Sequence, residues 1–422
     1  MTRVRFGWLF VLAGTAIVYA GQAPPPRPGQ PPDRRERPGG QRPRYSIEQA
    51  TSDEAQLRTI AFDGLAFLTG DFAHDTFLPP GKVSDFFGFQ YMRDIDVAEG
   101  GHNTSFLTRI AHNMLTVLHE SQREQLMALA ARQEADIRLY AERRLVLIKA
   151  FRRNLEAGAP AGQRLDRQAV MRYSADLYAL DGSLALQRAQ VGAGILRSLD
   201  DAQRTALRRL AFGDSRTWPD VPLPYDRRRL THTQDVAVMT YASELFSWYA
   251  GSLEADTYFC PERHGMYFGG FGLKTAPAMG RSNFSISTTL TADSGQAFLE
   301  ALTSEQRTHV TAVVDHQRPL LGEVVQVRRD MAAALRGLLD GRPVDEPTLA
   351  AQARRYGELD GALSYLYATA FASVKRTLTQ EQQLQLSAMR QVDPNEPRGP
   401  FLYSEPAPNL TVPDTGFLFT SR

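Results

Sequence analysis

The side chains that could do chemistry are few and loosely grouped. His74, Asp75 and Asp85, with His102 beyond them, could be read as metal ligands, and Asp256, Glu262 and His264 form a comparable set later in the chain. A zinc site takes about four ligands converging at bonding distance. Neither set has helical i, i+4 spacing, and their histidines do not occupy equivalent positions, so no metal site is expected. Cys260, beside His264, could act as a thiol nucleophile. No nucleophile motif surrounds it, and a lone thiol behaves more often as a small buried hydrophobe. His112 and His119 are seven residues apart, as are His309 and His316, and read as solvated or interfacial histidines on a helix face. Asp181-Gly182 and Asp360-Gly361 could supply a carboxylate pair. Glycine in mid-helix costs about 1 kcal/mol against alanine, so its recurrence points instead to a close helix crossing, with each aspartate capping or pairing. Nucleophile elbows and phosphate-binding loops are missing: Gly269-Gly270-Phe271-Gly272 lacks the Gly-Lys-Ser/Thr ending. The residues therefore predict no catalytic centre, no metal and no cofactor.

The elements that would position any site are announced by one recurrent pentapeptide. It occurs as Leu118-His119-Glu120-Ser121-Gln122, Leu199-Asp200-Asp201-Ala202-Gln203, Leu302-Thr303-Ser304-Glu305-Gln306 and Leu378-Thr379-Gln380-Glu381-Gln382. Asp200, Thr303 and Thr379 can accept a bond from a free backbone N–H at a helix start, while the glutamine three residues later reaches back to the N–H of the capping residue. His119 fits that role poorly. Counting from each glutamine, apolar residues stand at +4 and +7: Leu126 and Leu129, Leu207 and Leu210, Val310 and Val313, Leu386 and Met389. With the leucine at −4 they form one stripe at helical spacing, so each pentapeptide opens a helix with a buried face.

Paired L-T-x-x-Q pentapeptides about eighty residues apart, in a chain with an export signal, resemble the Spy/CpxP family of periplasmic chaperones and its metal-associated relatives. The resemblance covers the four motif helices and the hairpin between each pair, roughly half the chain. It implies an all-α cradle without catalytic chemistry that holds unfolded or envelope client proteins, or that responds to envelope stress.

An internal duplication is visible as well. Shifted by 181 positions, Thr59–Met92 aligns without a gap on Thr240–Leu273, matching Gly70 with Gly251, Asp75 with Asp256, Thr76 with Thr257 and Pro80 with Pro261. Leu180-Asp181-Gly182 matches Leu359-Asp360-Gly361 at a shift of 179, which also joins Gln203 to Gln382. The expected fold is all-α, two tandem copies of an antiparallel helical-hairpin or bundle unit, each with a Gly/aromatic loop insertion. Each copy reads as a first helix (47–68, then 233–249), a motif helix (115–156, then 304–339), a return helix (167–196, then 348–377) and a short closing helix. Ile137, Tyr140, Ile148, Phe151 and Leu155 continue the buried stripe of the first motif helix, and Pro319 should kink or divide the second. The expected boundaries are a signal peptide at 1–23, a disordered Pro/Arg-rich tether at 24–45, repeats at 46–212 and 231–391 with an ordered linker at 213–230, and an extended tail at 392–422.

Composition narrows the class further. A chain of 422 residues with 43% hydrophobic content can bury one large core or two ordinary ones. A net charge of +1 gives no field for nucleic acid. Arg3 and Arg5 precede an apolar run from Phe6 to Tyr19, too short for a comfortable membrane span and read as a cleaved signal peptide. The expected location is periplasmic. With one cysteine no intrachain disulfide can form, and helix packing must supply the stability.

Two surfaces are candidates for binding. The loops after the first helices are rich in aromatic residues and glycine: Asp75, Phe77, Phe86 and Phe87 in one copy, Asp256, Tyr258, Tyr267 and Phe268 in the other. Such loops either pack on the bundle or form a shallow groove for a peptide or ligand. Basic residues gather at Arg143, Arg144, Lys149, Arg152 and Arg153, at Arg208 and Arg209, and at Arg227-Arg228-Arg229. They read as solvated helix faces or as a positive rim that attracts clients. Client proteins are the expected partners, with homodimerisation open. A ligand or metal sensor using the duplicated loops, and a structural envelope component, are the alternatives.

Overall fold

The computed structural model describes residues 53–69, 105–160, 162–210, 218–250, 275–278, 281–287, 289–390, 401–402, 405–406 and 412–421. It is all-α in architecture, with ten α-helices and only short antiparallel strand pairs among the described residues. The helices are α1 (Asp53–Thr69), α2 (Ser105–Val117), α3 (Glu120–Leu155), α4 (Arg167–Arg197), α5 (Asp201–Arg208), α6 (His232–Ala250), α7 (Thr289–Ala301), α8 (Ser304–Arg336), α9 (Glu346–Thr377) and α10 (Gln380–Arg390). The long helices α3 and α4 form one antiparallel hairpin and α8 and α9 another. A short motif helix, α5 or α10, follows each. The four expected starts, at Glu120, Asp201, Ser304 and Gln380, are where the structure has them. Each is preceded by a break, so α2 and α7 are helices in their own right where the sequence reading allowed only a loop or ran the motif helix back to residue 115.

The apolar stripes account for the packing. Leu126, Leu129, Leu207, Val310, Val313 and Leu386 are all buried, as are Ile137, Tyr140, Ile148, Phe151 and Leu155. Each such side chain contributes roughly 1.5–3 kcal/mol when taken out of water. Pro319 lies inside α8, which runs unbroken from Ser304 to Arg336. A mid-helix proline costs about 3 kcal/mol, and its neighbours hold the helix in place. The buried Gln317 donates to Gln56 Oε1 at 2.8 Å and accepts from the Tyr367 hydroxyl at 2.7 Å, and Arg318 pairs with Asp53 at 2.6 Å.

The partners of Gln317 and Arg318 show where α1 sits. Although α1 precedes the first hairpin in the chain, it packs on α7, α8, α9 and α10. Conversely α6, which precedes the second hairpin, packs on α2, α3 and α4. The first helix expected for each unit thus seats on the other hairpin, which local periodicity does not encode. The polar ties repeat across this exchange. Gln133 and Gln317 each stand eleven residues after the motif glutamine of their helix. Gln133 accepts from Tyr241 of α6 at 2.7 Å, and Gln317 donates to Gln56 of α1. A fully buried ion pair, Arg188 with Glu244 at 2.6 Å, pins α6 to α4.

The two hairpins meet most extensively along α4 and α9. A Cβ added at Gly182 would stand 2.5 Å from Ala353 Cβ, one at Gly361 would stand 2.9 Å from Met171 Cα and Ser174 Cβ, and one at Gly357 would stand 2.5 Å from the Ser174 carbonyl oxygen. This is the close crossing read from the repeated Asp-Gly pair. Gly357→Ala gains about 1 kcal/mol of helix propensity but drives a methyl group into backbone that cannot swing away, an overpacking cost of about 1–3 kcal/mol. Overpacking should win, and Gly357→Ala is expected to lower the thermal unfolding midpoint; an unchanged or raised midpoint would mean the helices are free to separate.

Candidate functional site

The four pentapeptides come together in two pairs, one at the end of each hairpin. In the second pair, Thr303 Oγ1 accepts from Gln306 N at 3.2 Å while Gln306 Oε1 accepts from Thr303 N at 2.9 Å. Thr379 and Gln382 close the same box at 3.1 and 3.0 Å. The two glutamine amides then bond each other reciprocally, Gln306 Nε2 to Gln382 Oε1 at 3.1 Å and Gln382 Nε2 to Gln306 Oε1 at 2.9 Å. The remaining amide hydrogens cap the preceding helices: Gln306 donates to Thr377 O at 3.0 Å and Gln382 to Ala301 O at 2.9 Å. Every hydrogen-bonding position of both amides is used, which is why the residue is glutamine. A glutamate would supply the acceptor and lose both donors.

The first pair follows the same plan with one departure. Gln203 Oε1 accepts from Asp200 N at 3.0 Å, and Gln203 Nε2 donates to Gln122 Oε1 at 2.7 Å and to Val117 O at 2.9 Å. Gln122 Oε1 also accepts from His119 N at 2.9 Å, but its amide nitrogen turns to Ser198 Oγ at 2.9 Å. His119, the weak capping residue, sends its imidazole across to the other motif, with Nε2 2.8 Å from Asp200 Oδ2. Asp200 caps Gln203 N at 2.7 Å. The backbone bond from Gln203, and next the bond to His119, hold the Asp200 carboxyl below its ordinary value. Leu118, Leu199 and Leu302 are buried beneath the junctions, and Leu378 is packed at the core's edge.

Sequence reading missed the residue after each glutamine. Arg123 donates to Leu115 O and Leu118 O, Arg204 to Leu199 O and Leu196 O, and Arg307 to Leu299 O and Leu302 O. Gln383 does the same to Leu378 O at 3.2 Å. These cations sit on the open carbonyls at the end of the preceding helix, where they also meet its negative dipole end. The recurrence of Gln-Arg in three of the four motifs was a legible signal.

The other candidates resolve individually. His112 Nδ1 bonds Val221 O at 2.9 Å, His316 Nδ1 bonds Ala312 O at 2.7 Å, and His309 is exposed. Among the described residues no group of three or more His, Cys, Asp or Glu side chains could hold a metal ion. Asp181 and Asp360 are 1% and 0% exposed inside the α4–α9 crossing, so neither opens to solvent as a surface acid. Burial, then the neighbouring Asp360 carboxylate, push the Tyr178 hydroxyl well above its ordinary value. The basic residues divide: Arg143, Arg208 and Arg209 are exposed, while others turn inward or meet acids. Arg144 is fully buried against Tyr140, and Arg152 lies over the Phe67 ring at 5.1 Å and donates to Phe67 O. Arg227, Arg228 and Arg229 are paired with Asp235, Asp226 and Glu124. Helix periodicity alone does not separate an arginine facing solvent from one reaching into a neighbour. The loop residues Asp75, Phe77, Phe86, Phe87, Asp256, Tyr258, Tyr267 and Phe268, with Cys260, lie outside the described residues, as do residues 1–23, where a signal peptide is expected. Among the described residues no helix is long and apolar enough to cross a membrane.

Removing one junction amide leaves several part-buried groups without partners, and an unsatisfied buried group costs about 1–3 kcal/mol. Gln306→Ala is expected to destabilise the protein by about 2 kcal/mol or more in urea denaturation. Gln306→Glu should be as damaging at neutral pH and recover in part in acid, when the protonated carboxyl regains a donor. A Glu variant as stable as the parent at pH 7 would show that the reciprocal amide bonds do not matter. The Asp200 cap works through a carboxyl held below its ordinary value of 3.8, so its contribution is fully present above that value and is lost as the pH falls further. Asp200→Asn keeps the cap oxygen and should flatten the acid limb of stability, read as urea midpoints from about pH 6 to pH 2. No family model, no curated protein and no solved structure matches this chain.

Proposed function

We propose that the chain is a periplasmic, non-enzymatic helical protein that binds unfolded or envelope client proteins, as a chaperone or envelope-stress adaptor similar to the Spy/CpxP family, and that it arose by duplication of one helical unit. The observation that carries this reading is the pairing of the pentapeptides. In each hairpin the two L-x-x-x-Q sequences, 81 and 76 residues apart between their glutamines, meet through a direct amide–amide hydrogen bond. The motif that carried the family resemblance is therefore the joint that fixes each hairpin's geometry. The shared position of Gln133 and Gln317 and the Gly182/Gly361 crossing support the duplication.

In this reading the hairpins are a rigid frame and the client-binding surface is carried at its margins, since few large apolar side chains are exposed on the described helices. Leu384, 67% exposed on α10, is the main one. The loops with Phe77, Phe86, Tyr258 and Tyr267 bring the aromatic content that such a surface needs.

The test is aggregation of a chemically or thermally unfolding client, followed by light scattering, with purified protein from which the first 23 residues have been removed. The expected result is suppression at an equimolar ratio and its loss when the four aromatic loop residues are replaced by serine. Unchanged scattering at a fivefold molar excess would sink the proposal.

A further inference from the structure

The tip of the α3–α4 hairpin carries a structure that the other hairpin lacks. Gln163–Leu165 forms a short strand, β1, and residues Phe419–Ser421 form a second, which pairs with it antiparallel: Gln163 with Ser421, Arg164 with Thr420 and Leu165 with Phe419. Asp166 N extends the ladder to Leu418 O at 2.8 Å. Leu418 is fully buried, Phe419 nearly so, and the Phe419 ring lies beneath the Arg153 guanidinium at 5.4 Å. Upstream, Lys149 Nζ donates to the carbonyl oxygens of Val412 and Pro413 at 3.1 and 3.4 Å. Arg153 Nη1 reaches Asp414 Oδ1 at 3.3 Å and Thr415 Oγ1 at 3.5 Å, and the Tyr173 ring lies tilted against Phe417 with centroids 5.5 Å apart. At the equivalent tip of the α8–α9 hairpin the chain closes on itself: Arg342 N bonds Gly337 O, Gly341 takes a left-handed turn, and no strand forms there.

Most of what the first tip recognises in the 412–421 segment is backbone. Strand pairing and a lysine on two carbonyl oxygens accept many sequences, while a buried aliphatic–aromatic pair and one carboxylate supply selectivity. That division of labour is how an exposed strand edge binds an extended peptide. We propose that this tip is a peptide-binding groove, that residues 412–421 are its resident occupant, turning once at Gly416–Leu418, where Leu418 N bonds Thr415 O, before the strand, and that unfolded clients displace them with segments that can make the same turn between a carboxylate and an aliphatic–aromatic pair four to five residues later. The inference rests on the client-binding reading and names one site for it. A covalently attached occupant has an effective concentration on the order of 1 mM, so it suppresses binding of weak segments.

The experiment uses a fluorescein-labelled peptide with the sequence of residues 412–422 and follows its anisotropy. Full-length protein carrying Leu418→Asp and Phe419→Asp, and protein ending at residue 410, should bind the peptide at least tenfold more tightly than the parent. A peptide bearing the same two aspartates should not bind, Arg153→Ala in the shortened protein should weaken binding about tenfold, and a permanently unfolded model protein should compete. Failure of either folded variant to bind, or failure of the unfolded protein to compete, overturns the proposal. Should both variants unfold, parent protein with a protease site placed among residues 407–411 is nicked in its folded state, and the cleaved segment must exchange for labelled peptide. Absence of exchange overturns it equally. Suppression of aggregation without peptide binding defeats this groove alone, whereas peptide binding without suppression defeats the chaperone reading.

Discussion

The amide–amide bond between motif glutamines is the constraint on which the frame depends. A helix start has N–H groups without partners and a helix end has carbonyls without partners, and at each hairpin base two starts and two ends converge at a partly buried junction. In three of the four motifs the glutamine serves a start through its oxygen, an end through its nitrogen, and the opposite glutamine through what remains, while the Gln122 nitrogen goes to Ser198 Oγ instead. The arginine that follows it caps further carbonyls in three of the four motifs. In the second junction both amides are fully engaged, so it has one arrangement, and the direction in which α8 and α10 leave it is set there.

The second constraint is polar as well. The α4–α9 crossing and the seats of α1 and α6 are lined with groups unusual in a core: Arg144, Asp181, Asp360, Gln133, Gln317, and the Arg188–Glu244 pair. Apolar packing supplies most of the free energy, yet many helix registers bury similar area. A buried glutamine that must meet a tyrosine hydroxyl, or an arginine that must meet a glutamate, tolerates few. Removing one member of such a buried pair costs about 3–5 kcal/mol. In this molecule these groups specify which helix sits where.

Much of this was legible. Capping boxes and the +4 and +7 stripes placed the four motif helices and their buried faces, because both signals are local and the physics of a helix start is the same everywhere. The Asp-Gly repeat indicated the crossing, because glycine inside a helix needs a spatial reason. What stayed hidden was non-local. Nothing in α1 marks it as a partner of α8 rather than α3, since the choice rests on Gln56 meeting a glutamine 261 residues away. Arg144, Arg152 and Arg153 looked like surface charge because composition does not reveal what a long side chain reaches. The pairing of residues 419–421 with 163–165 was equally invisible, being a three-residue ladder without a hydrophobic period. The aromatic loops were singled out by composition alone, and their residues lie outside the described structure.

The seating of α1 has a consequence for how the protein is made. Its receptor helices α7 to α10 run from Thr289 to Arg390, so α1 leaves the ribosome long before anything exists for it to dock on. At about 5–20 residues per second the delay is roughly a quarter of a minute to a minute. Throughout it, Ile60, Leu65, Phe67 and Leu68, all buried in the finished fold, lack the cover that α7 to α10 provide. The chain is thus its own longest-waiting nascent segment, and a holdase that shields the emerging amino-terminal region should raise its yield more than one acting on the finished hairpins.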